Sequence, residues 1–323
     1  MKKLAALVLA MLLALSVISV AGAEDLPLTG KRIGNTIVYK GDVWCFLLAE
    51  EFEKQAKALG ADIVVDDGEI NPEIQTRQIE TYIADKVDVI FADPATFDGC
   101  TEAFIKAGEA GIPVFTYDSA PSYEGIITHT GWDQYETGVI TANYVIDWVE
   151  KNMGGKAKAI MIGNYASEHC LEREVAFEDT IVGSGIEVVY KADCAGNRET
   201  GANAIMNYTD DFDIVVSVVD NGAWGAVSAI EARGLDKYVF CMGAYGDEPF
   251  CALYNDHPIY KAGLIVDPAE IARITLESYI AFLKDGKPAG ETIFDRTVNI
   301  PLYMGDHENI TQYYPFPNGY DAA

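Results

Sequence analysis

Between residues 87 and 121 the chain reads VDVIFADPATFDGCTEAFIKAGEAGIPVFTYDSAP, and this segment restricts the fold more than any other. An apolar run over 87–92 ends on Asp93, a helix-length amphipathic stretch covers 97–110, and a second apolar run over 113–117 ends on Asp118. Short apolar runs separated by a helical segment predict a βαβ unit whose strands are parallel and buried on both faces. In open parallel sheets, ligands sit beyond the carboxyl ends of the strands, where neighbouring connections diverge. Both strands here end on a carboxylate at that place.

The same unit recurs along the whole chain. In the first half, strands are expected over 33–39, 62–65 and 126–130 besides the two above, with helices over 44–59, 71–85 and 133–151. Leu48, Phe52, Ala56 and Leu59 share one face of the first helix. Asn71-Pro72 marks the start of the second, a capping side chain followed by proline in the first turn. The pattern then restarts, with strands over 159–162, 187–190, 214–219, 239–242 and 262–266. Helices are expected over 167–180, 199–208, 223–233, 249–254 and 268–284, and the tail from Pro301 reads as extended surface chain. Strands alternating with helices throughout indicate an α/β protein with two parallel sheets. Roughly 300 residues suit two lobes of about 150 each.

The first residues concern the compartment. Lys2 and Lys3 precede an apolar run over 4–20, and Ala21-Gly22-Ala23 follows, which reads as a secretory signal peptide cleaved after Ala23. The competing reading is a retained membrane anchor, for which the apolar run is short. No cysteine adjoins the cleavage point, the first being Cys45, so a lipid anchor there is not expected. The formal charge of −27 opposes nucleic acid and anionic membranes as partners and favours solubility. Six cysteines (Cys45, Cys100, Cys170, Cys194, Cys241, Cys251) show no C-x-x-C pair. They read mostly as small buried residues, with one disulfide left open.

The expected strand ends carry carboxylates, amides, arginine and large aromatics. They include Asp42 and Trp44 in YKGDVW, then Asp93, Asp118 and Trp132; in the second half come Asp220, Tyr245 and Asp267, with Arg173 on the helix HCLERE. Carboxylates make charge-assisted hydrogen bonds to hydroxyl groups, and indole or phenol faces pack on the C–H side of a sugar ring. Each residue also has a plain structural reading. Asp133 suits a helix N-cap better than a ligand contact. Trp44 could belong to the core, Asp118 could close a turn, Asp220 could cap the helix after it, and Arg173 could form a surface ion pair of little worth.

Taken in order, YKGDVWCFLLAEEFEKQAKALGADIVV, NPEIQTRQIETYIADKVDVIFADP, AGIPVFTYDSAP, GWDQYETG, NRETG, VVDNGAWGAVSAIEARG and VDPAEIA resemble the type I periplasmic sugar-binding proteins of the ribose and galactose group. The resemblance covers nearly all of the chain after the signal. It implies two doubly wound lobes joined by a three-strand hinge, 24–132 with 267–295 and 133–266 with 296–323. Ligand would bind between them, a monomer would close around it, and the complex would deliver it to a membrane ABC permease. By position, Trp44 stands where the family has a ring-stacking aromatic, Asp42 and Asp118 where it has polar sugar contacts, and Arg173 where the galactose type has its arginine. Val219-Asp220 replaces an Asn-Asp pair, Tyr245 a later aspartate, Val266 a Gln or Asn, and Cys45 a second aromatic. The resemblance therefore extends to the binding class rather than to ribose or galactose.

Enzymatic signatures such as G-x-S-x-G, H-E-x-x-H, a phosphate loop or G-x-G-x-x-G after a strand are missing from the sequence. The four histidines (His129, His169, His257, His307) lie far apart, and no contiguous oxygen-rich cation loop occurs. No cofactor or resident metal is expected. A sensory receptor passing the same closure to a chemoreceptor or kinase is the alternative role, and a nucleoside the alternative ligand.

Overall fold

The computed structural model describes residues 26–285 and 296–313, so the expected signal peptide lies outside the described residues. In the first lobe, β1 (Arg32–Ile37), α1 (Val43–Ala58), β2 (Asp62–Asp67), α2 (Pro72–Asp85), β3 (Val89–Ala92), α3 (Thr101–Glu109), β4 (Val114–Tyr117) and β5 (His129–Gly131) follow one another. The chain then crosses and repeats the pattern. The second lobe holds α4 (Gln134–Met153), β6 (Ala157–Gly163), α5 (Glu168–Thr180), β7 (Ile186–Asp193), α6 (Arg198–Asn207), β8 (Ile214–Ser217), α7 (Asp220–Arg233), β9 (Tyr238–Ala244), α8 (Asp247–Tyr254) and β10 (Tyr260–Ile265). It returns for α9 (Pro268–Asp285) and β11 (Thr297–Asn299), and crosses again to β12 (Tyr303–Asp306) and α10 (Ile310–Tyr313).

The two sheets have the same order, β11-β5-β4-β3-β1-β2 and β12-β10-β9-β8-β6-β7. All ladders are parallel except β10 with β12. Strand order reverses between β1 and β3 and again between β6 and β8, and these are the switch points at which a cleft opens. Helices cover both faces of each sheet, which is why β3, β4 and β8 are buried at every residue. In the first lobe, Phe52, Phe91, Phe115, Tyr117 and Tyr279 fill the layer beneath α1 and α9, while Ile79, Phe104 and Ile126 fill the opposite one. The second lobe is built alike, with Phe177 and Phe240 on one side and Phe212, Trp224 and Phe250 on the other.

The doubly wound α/β architecture expected from the repeating pattern is the one observed. Asn71 caps α2, its side chain accepting from the Glu73 and Ile74 amides with Pro72 in the first turn. Asp133 caps α4 through the Glu136 amide. The helix expected from residue 97 starts only at Thr101, because turns close from Gly99 to Thr96 and from Thr101 to Asp98. Phe97 prolongs the apolar spacing backwards yet stands exposed. The tail differs more. It forms β12 and α10, and Ile310 is wholly buried in the second-lobe core. Because β11 pairs with β5, the last crossing falls between Asn299 and Tyr303 rather than at residue 296. Cys45, Cys100, Cys170, Cys194 and Cys241 are free and buried.

One close approach positions a residue of the cleft. Gly138 on α4 lies against the Arg173 carbonyl and Ala176 of α5, leaving no room for a Cβ. Helix propensity alone would make Gly138→Ala stabilising by about 1 kcal/mol. We expect the reverse, a loss of about 1–3 kcal/mol from overpacking, read from urea unfolding. A gain in stability would show that α4 and α5 can separate freely.

Candidate ligand-binding cleft

A cleft of about 700 Å³ lies between the lobes at the carboxyl ends of both sheets. Asp42, Trp44, Asp118, Trp132, Arg173, Asp220 and Tyr245 all line it. Val43 and Leu47 of α1 face Gly246 of the second lobe across the opening: a Cβ on Gly246 would stand 3.6 Å from Val43 Cγ1. Gly246 also has φ +102°, a conformation suited to glycine.

Four of these residues come from the first lobe. Asp42 caps α1, its Oδ1 accepting from the Trp44 amide at 2.9 Å and the Cys45 amide at 3.3 Å. The cap fixes where α1 begins and sets Trp44 at the rim. The Trp44 indole donates from Nε1 to the Val266 carbonyl at 2.8 Å, on the second crossing between lobes. Its ring meets Trp132 edge to face, with centroids 5.8 Å apart. Asp118 adopts φ +57°, a left-handed conformation that aspartate tolerates better than most residues, and its amide donates to the Thr130 carbonyl. Burial raises its carboxyl above the usual range and Asp42 adds to this, while His169 and Arg173 oppose it.

The second lobe answers with Arg173, Asp220 and Tyr245. Arg173 is buried, not a surface ion pair. Its Nε donates to Gln134 Oε1 at 2.7 Å and its Nη1 to the Val218 carbonyl at 3.1 Å, and the guanidinium lies over the Trp132 ring at 5.8 Å. Asp220 does not cap α7; that position belongs to Val219. Its Oδ1 is buried and has no hydrogen-bond partner. Burial pushes its carboxyl up to about 7; Glu248 and Asp42 add to the rise, while Arg198 and the Trp224 indole restrain it. Trp132 Nε1 is likewise a buried donor without a partner.

Two expected contacts stand apart from the cleft lining. Asp93 is completely buried beneath the floor and accepts from the Val38 and Ser119 amides at 3.3 and 3.4 Å. Burial and the Asp118 charge push its carboxyl well above the usual carboxylate range. It ties the end of β1 to the turn after β4. Asp267 holds the first turn of α9, accepting from the Ala269 amide at 2.8 Å and from the Tyr245 hydroxyl, between the cleft-lining Val266 and Pro268.

The cleft also gathers Asn164, Arg198 and Asn221, which the sequence places at strand ends without their being chosen as ligand contacts, and Glu50, Glu51 and Glu248, which it does not single out. Arg198 is held by Glu248 in a two-pronged ion pair, at 3.0 and 2.5 Å, and its guanidinium lies over Trp224. Asn164, Arg198 and Asn221 follow expected strand ends, which was the available signal. The three glutamates reach the cleft only because α1 and α8 run along its rim.

Two lobes of like topology, with a polar and aromatic cleft at both switch points, define a two-lobed binding protein. Residues 33–288 match the family described as "Periplasmic binding protein domain", and the chain belongs to that family, with the type I fold of its sugar-binding members. It is 24% identical over 260 residues to the ribose import binding protein of Bacillus subtilis, covering 80% of this chain and 81% of that one. Its fold is similar to that of a solute-binding protein from Actinobacillus succinogenes with bound D-allose (TM-score 0.77, 19% identity, 88% and 100% of the two chains). It is also similar to one from Bacillus halodurans with bound myo-inositol (TM-score 0.75, 19% identity, 88% and 98%). Membership places the protein among exported, periplasmic components of ABC import systems for sugars.

Proposed function

We propose that this protein captures a monosaccharide or a related polyhydroxylated molecule between its lobes and presents it to an ABC permease. The observation that carries this is the pairing of two indoles, Trp44 and Trp132, with Asp42, Asp118, Arg173 and Asp220 around one cleft. Indole faces suit the C–H side of a ring, while the charged groups bind its hydroxyls. Asp42, Trp44 and Asp118 come from one lobe and Arg173, Asp220 and Tyr245 from the other. A ligand touching both sets stabilises the closed arrangement, and closure about the crossings is the signal the permease reads.

Binding is found with a thermal-shift screen of sugars, polyols and nucleosides, since a ligand bound only by the folded state raises the melting temperature. Titration calorimetry on the best hit then tests the site. Trp44→Ala is expected to weaken binding at least tenfold, about 1.4 kcal/mol. Trp44→Phe, which keeps a ring but not the N–H donor to Val266, should retain most of the affinity. An unchanged dissociation constant in Trp44→Ala would remove Trp44 from the site, and a screen answered only by nucleosides would overturn the sugar reading.

A further inference from the structure

The charges of the cleft do not balance. Arg198 is engaged by Glu248, and Glu51 accepts from Lys54 and Gln55. Among the described residues, Arg173 is then left as the cleft-lining cation not engaged by a carboxylate, and its Nε and Nη1 are already given to neutral oxygens. Three carboxylates from both lobes, Asp42, Asp118 and Asp220, line the same cleft; Arg173 opposes the rise of Asp118, and Arg198 that of Asp220. Asp42 sits close enough to raise the proton affinity of each of the other two.

Asp220 adds a second and independent observation. Its Oδ1 is cut off from solvent, lacks any donor, and performs no capping duty for α7. A buried acceptor without a partner is costly, and a charged one more so. The Trp224 indole eases the charge of Asp220, yet its Nε1 is not in hydrogen-bond geometry with any acceptor. A ligand hydroxyl could donate to this oxygen, but it would leave the like charges facing one another. Among the described residues, no three carboxylates, imidazoles or thiols are grouped to hold a metal ion. An ammonium group supplies both what the oxygen lacks and what the surround lacks.

We infer that the ligand carries a protonated amine on its polyhydroxylated frame, an amino sugar or aminocyclitol, with the ammonium donating to Asp220 within the field of Asp42 and Asp118. This rests on the carbohydrate reading of the cleft. Trp132 Nε1, the unpartnered donor on the opposite lobe, suits a hydroxyl oxygen of the same ligand.

The test is calorimetry at pH 7 on matched sets that differ at one substituent. The sets are D-glucosamine, D-glucose and N-acetyl-D-glucosamine, the corresponding galactose series, and an amino-inositol beside myo-inositol. At least one free amine is expected to bind tenfold or more tightly than its hydroxyl counterpart and, in the two sugar series, than its N-acetyl form. Asp220→Asn should collapse that ratio to within about threefold, with circular dichroism confirming an intact fold. Hydroxyl or N-acetyl forms binding as tightly as the amines would overturn this inference and leave the carbohydrate reading standing. No binding in any set would overturn this inference, while the carbohydrate reading is decided by the thermal-shift screen. A preference for amines that persists in Asp220→Asn would overturn the assignment to Asp220.

Discussion

Without ligand, Asp220→Asn is expected to be more stable than the natural protein above pH 7 and no more stable below pH 4. The folded state holds the Asp220 carboxyl at about 7, against 3.8 for an unhindered aspartate. A folded-state value raised in this way means stability that is fully present below the unfolded value and lost as pH rises through the folded one. Above pH 7 the fold must carry a largely buried charge, one oxygen of which has no donor, that faces Glu248 and Asp42 and is only partly offset by Arg198 and Trp224. At about 1.4 kcal/mol per pH unit, the ceiling on this penalty is about 4 kcal/mol. Asparagine removes it but forfeits a negative charge in the first turn of α7, which costs about 0.3–1 kcal/mol. A net gain of about 2–3 kcal/mol at pH 8 is the expected result.

The comparison is made by denaturant unfolding of both proteins from pH 4 to pH 8. Comparing the two cancels contributions common to both, such as that of His129. Burial lowers that imidazole to about 4, so its stability is present above 6.5 and lost as pH falls. A variant no more stable than the natural protein at pH 8 would mean that solvent or a rearranged neighbour already satisfies the Asp220 carboxylate.

Phe91→Ala is expected to lose about 3–5 kcal/mol, the cost of truncating a fully enclosed aromatic. Phe91 lies on β3, at the centre of the first sheet, and its ring is surrounded by Phe52, Phe115 and Tyr279 at centroid distances of 5.8, 5.9 and 6.0 Å. These rings come from α1, β4 and α9, so the hole would open where the returning helix meets the lobe. The lost stability would therefore also loosen the join made by the second crossing. The control is Phe97→Ala, where 62% of the residue is exposed and the change should stay within about 0.5 kcal/mol. Equal losses in the two variants would contradict the core described for this lobe.

The architecture was legible in the sequence because its physics is local and periodic. β3 and β4 read as uninterrupted apolar runs because helices cover both sides of them, and Asn71-Pro72 and Asp133 announced helix starts through their own side chains. The tail was misread because its two short elements carry little apolar periodicity; Ile310 is held by tertiary contact instead. Seven of the nine expected site residues line one cleft because the end of a strand in a parallel sheet points to the switch point wherever it occurs. That rule gives the level along the strand, not the direction of each side chain. Asp93 therefore reached the right level but turned to the Val38 and Ser119 amides, and Asp267 became a helix-end residue. Charge balance was hidden as well, since nothing in the spacing of Arg198 and Glu248 foretells their pairing.

The crossings between the lobes carry cleft residues with them. Trp132 precedes the first and Gln134 follows it, holding Arg173; the second receives the Trp44 indole on Val266 and the Tyr245 hydroxyl on Asp267. The cleft lining and these crossings thus share the same bonds. If the cleft binds as proposed, a substitution at Trp44, Arg173 or Tyr245 is expected to shift the rest angle between the lobes along with selectivity. Affinity and the speed of release are then expected to change together. Variants selected for a new ligand should arrive with altered opening kinetics, and compensating changes should collect at residues 132–134 and 266–267.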